Sequence, residues 1–170
     1  LEKGRCVDIS LGEYRMLKEF IDATEVALTV VGPEIPLVDG IVAALQEDGH
    51  CVFGPTASAA KLEGSKGFSK DFMVRHDIPT ASFQKFYSRD DAVAYVEKMG
   101  VPIVIKADGL AAGKGVVVAH DLETATKTID DMMIERVFGD AGIKIIIETC
   151  LTGQEVSVLA FSDGETVLPM

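Results

Sequence analysis

The sequence predicts a mixed fold, an open parallel α/β unit followed by a compact α+β unit, on three observations. Its first third alternates apolar runs with amphipathic stretches across short Gly-Pro loops, the strand–helix–strand pattern of a parallel crossover. From residue 80 onward the order reads strand, helix, two strands, helix, strand. At the edge of that second unit lies Val101–Ala119, VPIVIKADGLAAGKGVVVA. An apolar strand carrying one lysine enters a loop of three glycines there and leaves as a second apolar strand.

Each element has its own warrant. Leu11–Ala23 places Leu11, Tyr14, Leu17, Phe20 and Ile21 on one helical stripe. Val26–Val31 reads as a buried strand ended by Gly32-Pro33, and Ile35–Gln46 as a second amphipathic helix closed by Gly49. Cys51–Phe53 is a short strand ended by Gly54-Pro55. Ligands collect at the carboxyl ends of such strands, which makes Gly32, Pro33 and Glu34 a candidate substrate loop. A simple turn with an exposed glutamate would read the same way.

Thr56–His76 reads as two helical stretches. Lys66 and Lys70 are four apart and share a face, while Phe68 and Phe72 share another and pack. On spacing alone the lysine face is solvated. Ile78-Pro79-Thr80 breaks to the strand Ala81–Phe86, followed by the helix Asp90–Met99 closed by Gly100. After the glycine hairpin come the helix Leu122–Ile134, the strand Lys144–Glu148, and a strand pair, Glu155–Phe161 and Thr166–Pro169, turning at Asp163-Gly164.

A chain of 170 residues with 48% hydrophobic content supports one ordinary domain or two small ones with a real core. The net charge of −11 argues against nucleic acid and anionic membrane as partners. No apolar run approaches the roughly 18 residues of a membrane span. The start LEKGRC lacks a signal-peptide layout. Cys6, Cys51 and Cys150 are far apart and without CxxC spacing, which points to reduced thiols in a cytoplasmic protein. His50, His76 and His120 show no metal-ligand spacing and read as surface or structural. A chain that starts at Leu1 and stops at Pro169-Met170, just after an expected strand, reads as a piece of something longer.

The chemistry lies in the glycine loop. Gly109, Gly113 and Gly115 can turn backbone N–H groups toward an anion, and Lys106 and Lys114 put positive charge at its two ends. Backbone donors plus ammonium groups suit a polyphosphate. A P-loop needs four residues between its glycines, then Lys and Ser or Thr, then a helix. Here three residues separate Gly109 from Gly113, and a strand follows. The dinucleotide fingerprint also opens a helix, and its spacing is not met. What remains is a hairpin flap over phosphates, or an ordinary glycine turn. Ile145–Ser157, IIIETCLTGQEVS, adds an apolar strand ending in Glu148 and a turn leading to Glu155. A base stacks on apolar side chains while backbone reads its edge, and a carboxylate accepts both ribose hydroxyls.

These residues resemble a known family. LEGSKGFSKDFM, IPTA, PIVIKADGLAAGKGVVVA, FGDAG and IIIETCLTGQEVS, with VGPEIPLVDGI and VFGPTASAA before them, closely match phosphoribosylamine–glycine ligases of the ATP-grasp superfamily. The match runs through nearly the whole chain in the family's order. It implies that residues 1–56 end an amino-terminal, Rossmann-like open parallel domain and that 57–79 form the ATP-grasp helical segment. Residues 80–148 would be the small lid domain with its flap, and 149–170 the start of the larger ATP-grasp domain.

Residue roles follow from the same resemblance. Lys66 and Lys106 correspond to the two phosphate lysines. Gly109, Leu110, Ala111, Ala112, Gly113, Lys114, Gly115 and Val116 resemble the flap that closes over the triphosphate. Glu148 and Thr149 begin the hinge that reads adenine, Leu151 lies beside the base, and Glu155 is similar to the ribose-binding glutamate. Relatives usually carry two consecutive glutamates where this chain has Glu148-Thr149. The implied reaction joins glycine to 5-phosphoribosylamine with ATP and Mg²⁺ or Mn²⁺ in purine synthesis. The metal ligands are expected outside this chain, and the parent is open to fusion with other purine-pathway domains. Another ATP-grasp carboxylate–amine ligase would share the lysines and flap but lack VGPE and FGPTA here, and a non-catalytic nucleotide-binding module is the alternative of a different class. A kinase is disfavoured by the lack of HRD and DFG.

Overall fold

The computed structural model describes residues 4–111 and 113–170. The first unit opens with α1 (Tyr14–Ala23), β1 (Thr29–Val30), α2 (Glu34–Val38), α3 (Ile41–Glu47) and β2 (Val52–Phe53). The expected parallel crossover is present: Thr29 pairs with Val52 and Val30 with Phe53. Three local expectations are corrected. Leu11 lies in the turn before α1 and is exposed, so the helix starts three residues later. The single helix expected over residues 35–46 is two, because Gly40 takes φ +91°, a left-handed angle that stops α2 before α3 begins. The expected buried strand over 26–31 is a two-residue pair with Leu28 and Val30 exposed. A parallel strand is buried on both faces only when both are covered, and here Val31 and Val52 pack inward against one cluster alone.

That cluster joins Ile21, Leu37, Ile41, Val42 and Leu45 to Ala60 of α4 (Ala57–Gly64). Thr56 caps α4 by accepting the Ala59 N–H. Ser65 then ends α4 and caps α5 (Lys66–Arg75) by accepting the Phe68 N–H at 3.2 Å. Two helices thus meet at one serine, which places Lys66 in the first turn of α5.

The second unit comprises β3 (Phe83–Phe86), α6 (Arg89–Met99), β4 (Ile103–Ala107), β5 (Val116–Ala119), α7 (Leu122–Met133) and β6 (Ile145–Thr149). The strands form one antiparallel sheet in the order β3-β6-β4-β5, which puts the glycine hairpin at an edge. Its core is the face covered by α6 and α7. Ile103, Ile105, Ala107, Ile145 and Ile147 pack there on Ala92, Val96, Ala125, Ile129 and Met132. Because side chains alternate along a strand, Lys106, Ile146 and Glu148 face the other way, toward α5. Gly139–Gly142 of the FGDAG motif forms a 3-10 turn leading into β6.

The chain closes with a hairpin, β7 (Ala160–Ser162) and β8 (Val167–Pro169). The expected strand over 155–161 is therefore much shorter. A strand needs a ladder partner, and only residues 160–162 find one, in 167–169. Residues 150–159 are irregular and exposed, apart from a half-buried Cys150.

Candidate nucleotide site

The outer face of the sheet and α5 enclose a cavity of about 280 Å³ lined by Lys66, Ser69, Lys70, Lys106, Val116 and Glu148, among others. It adjoins a wider one of about 770 Å³ beneath the hairpin, where Lys66 recurs with Glu34, Glu63, Gly113, Gly115 and Phe138. The register explains the convergence. Val104 pairs with Glu148 and Lys106 with Ile146, so Lys106 and Glu148 are diagonal neighbours on one face.

Glu148 is 5% exposed and its carboxylate lies between two ammonium groups. Lys70 Nζ is 3.0 Å from Oε2 and Lys106 Nζ 3.1 Å from Oε1. The Lys106 approach is an ion pair without hydrogen-bond alignment, so Oε1 is buried with no hydrogen-bond partner among the described residues. Lys70 also donates to Thr80 Oγ1 at 2.6 Å and sits 5.5 Å from the centre of the Phe83 ring. The expected solvated lysine face is thus corrected at Lys70, which is 8% exposed. A carboxylate brought inward by strand alternation needs a cation within reach, and Lys70 supplies it.

Lys66 is placed differently. Its Nζ donates to the Gly109 carbonyl at 3.1 Å, tying the first turn of α5 to the start of the flap. Burial pulls its pKa below the ordinary lysine value, Glu63 and Asp108 oppose that shift, and the nearby Lys106 adds to it. A cation held this way gains most when an anion enters the cavity.

The flap is a hairpin between paired strands, as expected: Lys106 pairs with Val116, and the Ala107 N–H donates to the Gly115 carbonyl at 2.8 Å. Some of its amides are already occupied. The Gly109 N–H points to the Ala141 carbonyl at 3.4 Å and the Lys114 N–H to the Ala111 carbonyl at 2.9 Å. Gly113 has φ +76° and nothing within 4 Å of where a Cβ would stand, so the turn needs glycine there for its backbone. Leu110, Ala111, Gly113, Gly115 and Val116 line the wider cavity. Ala112 lies outside the described residues.

The remaining candidates are distributed unevenly. Glu34 begins α2 and lines the wider cavity, whereas Gly32 and Pro33 lead into that helix without lining it. Thr149 ends β6, pairs with Ile103 and donates its N–H to Ser82. Leu151 and Glu155 are exposed and line neither cavity. Sequence reasoning missed Lys70, Glu63, Phe138 and Asp108. The signal for Lys70 was available in IIIET, whose alternation buries a carboxylate. Among the described residues, no three His, Cys, Asp or Glu side chains form a metal cluster, and no helix is long and apolar enough to cross a membrane.

Comparison with known proteins identifies the family. Residues 64–170 match the family model described as phosphoribosylglycinamide synthetase, ATP-grasp (A) domain, and residues 1–63 match its N domain. The phosphoribosylamine–glycine ligase of Yersinia pestis is 51% identical over 164 residues, 96% of this chain and 38% of that protein. That of Halalkalibacterium halodurans is 53% identical over 165 residues, 97% of this chain and 39% of that protein. The chain therefore spans less than half the length of these curated relatives. The crystal structure of the Thermotoga maritima phosphoribosylamine–glycine ligase superposes with TM-score 0.65 at 34% identity, covering 69% of this chain and 30% of that one. Biotin carboxylase from Campylobacter jejuni, solved as a β-γ-ATP complex, shares the fold at TM-score 0.69 and 16% identity, over 82% of this chain and 32% of that one. By matches that run from its first residue to its last, the chain belongs to the phosphoribosylglycinamide synthetase family and carries its ATP-grasp fold.

Proposed function

We propose that this chain is the nucleotide-binding part of a cytoplasmic phosphoribosylamine–glycine ligase. The reading is supported above all by one observation: Lys66 and Lys106 line the same cavity, at the edge of a glycine hairpin that roofs its neighbour. In this reading both lysines meet the ATP phosphates, and residues 109–116 close over them. Glu148 and Thr149 begin the adenine hinge, Leu151 flanks the base, and Glu155 binds the ribose. The Gly32-Pro33-Glu34 loop serves the second substrate.

The chemistry is consistent with these parts. The glycine carboxylate attacks the γ-phosphorus, a P–O bond forms, the β–γ bond breaks and ADP leaves. The amine of 5-phosphoribosylamine then attacks the carbonyl carbon of glycyl phosphate, releasing phosphate and a proton. The first step brings two anions together, so charge neutralisation and positioning dominate it. An acyl phosphate hydrolyses readily, so a closing flap protects it from water. The family chemistry uses Mg²⁺ or Mn²⁺. The described residues do not fit such an ion: no three His, Cys, Asp or Glu side chains come together among them, and Asp108 and Glu148 are already held by lysines. Its ligands belong to other parts of the protein.

The test is turnover and binding in the full-length protein. Lys66→Met should abolish glycine-dependent ADP release and leave the fold intact. ATP affinity and turnover near wild type in that variant would refute the phosphate assignment.

A further inference from the structure

The reading above leaves one buried carboxylate without a role. Asp108 follows β4 and is 9% exposed. All its polar contacts lead to the first turn of α5 or to the start of β6. Oδ1 accepts the Gly67 N–H at 2.6 Å, and both oxygens accept from Ser65 Oγ, at 3.2 and 3.0 Å. Oδ2 pairs with Lys144 Nζ at 2.7 Å. Its main chain repeats the grip: the carbonyl accepts the Lys66 N–H at 2.9 Å, and the N–H donates to the Lys144 carbonyl at 3.0 Å. One residue thus holds Ser65, Lys66 and Gly67 from more than forty positions further along the chain.

The packing leaves no slack. A Cβ on Gly67 would lie 2.8 Å from Asp108 Oδ1 and 3.2 Å from Lys144 Nζ. The carboxylate also meets the amino end of a ten-residue helix, where backbone N–H groups favour negative charge. Lys106 stands in β4, two residues before Asp108, and Lys66 reaches the carbonyl of Gly109, the residue after it. Fixing Asp108 against α5 therefore fixes how far apart the two lysines stand.

We propose that Asp108 is a positioning residue of the nucleotide site: it fastens the first turn of α5 to the end of β4 and so sets the spacing of Lys66 and Lys106. This rests on the nucleotide reading. Asparagine keeps the size and one acceptor oxygen, but it loses the pair with Lys144 and cannot accept from Ser65 and Gly67 through two equivalent oxygens. Polyphosphate recognition should suffer, while base recognition, assigned above to the segment from Glu148 onward, should not.

The experiment is calorimetric titration of the full-length protein and its Asp108→Asn variant with ATP and, separately, with adenosine. ATP affinity is expected to fall about tenfold and adenosine affinity to stay within a factor of two. Unchanged ATP affinity in the folded variant overturns the proposal, and so does an equal loss for both ligands, which marks a general structural role. Where Asp108→Asn does not fold, Ser65→Ala removes a single donor to the same carboxylate and is judged by the same ATP-against-adenosine difference. Wild-type protein that binds no ATP overturns the nucleotide reading and this proposal with it, whereas wild-type binding with an indifferent variant overturns the proposal alone.

Discussion

Replacing Lys70 by methionine should destabilise the fold far more than the same change at Lys66, although the two lysines are one helical turn apart. Lys70 is buried and its Nζ lies 3.0 Å from a carboxylate that is 5% exposed. Removing one partner of a buried ion pair costs about 3–5 kcal/mol, because the other charge remains desolvated. Lys106 stays 3.1 Å from the same carboxylate and retains part of the compensation. The expected loss is then near the lower end, about 3 kcal/mol, or roughly 6–12 °C in Tm for a chain of this size. Lys66 gives up only one hydrogen bond to a carbonyl, and methionine is spared the cost of a half-buried charge, so its loss should stay under about 1 kcal/mol. Lys106→Met should fall between the two. Urea unfolding of the 170-residue chain, followed by circular dichroism, gives the order directly. The double variant Lys70→Met/Glu148→Leu should recover much of the loss, since an apolar pair replaces a buried ionic one at little cost. Wild-type stability in Lys70→Met, or equal losses at all three lysines, would refute the argument that Glu148 is charged and shielded from water.

Three further outcomes are expected. Gly113→Val should leave the core intact, since nothing lies within 4 Å of the site, yet severely slow the proposed turnover of the full-length protein by straining a turn at φ +76°; turnover near wild type with a normal melting curve would count against a closing flap. The lowered pKa of Lys66 makes stability rise as pH climbs from that value toward the ordinary lysine one, because the unfolded chain holds more protons over this range. ATP prefers the ammonium form, so its affinity should fall over the same range with proton uptake on binding, seen by calorimetry in two buffers and lost in Lys66→Met; uptake that persists in the variant would assign the proton elsewhere. Glu155→Ala should weaken ATP binding by about 1.5–3 kcal/mol in the full-length protein, the range for hydrogen bonds to a charged group. Unchanged affinity would remove the ribose assignment.

Local signals determined most of the elements, because they depend on neighbours in sequence. Apolar runs such as IVIKA and IIIET specified strands, and the glycine spacing specified a hairpin rather than a loop opening a helix. The errors arose where a distant partner decides. Gly40 divides a helix through a backbone angle that residue type permits but does not demand. Residues 155–159 have strand composition but no ladder partner, so only the hairpin at 160–162 and 167–169 forms. Lys70 and Lys66 have the same helical spacing and the same side chain, and nothing local distinguishes them. Sheet order decides between them: β6 lies beside β4 and β3, so Glu148 is diagonal to Lys106 and beneath α5, where Lys70 meets it. Asp108 shows the same dependence, since its partners in α5 lie about forty residues away and only strand alternation and helix packing bring them together. The sequence by itself thus determined the lysine-flanked glycine hairpin between two strands. Tertiary structure alone decided which charges remain available to a ligand, because pairing a buried charge depends on the fold that brings its counterion within reach.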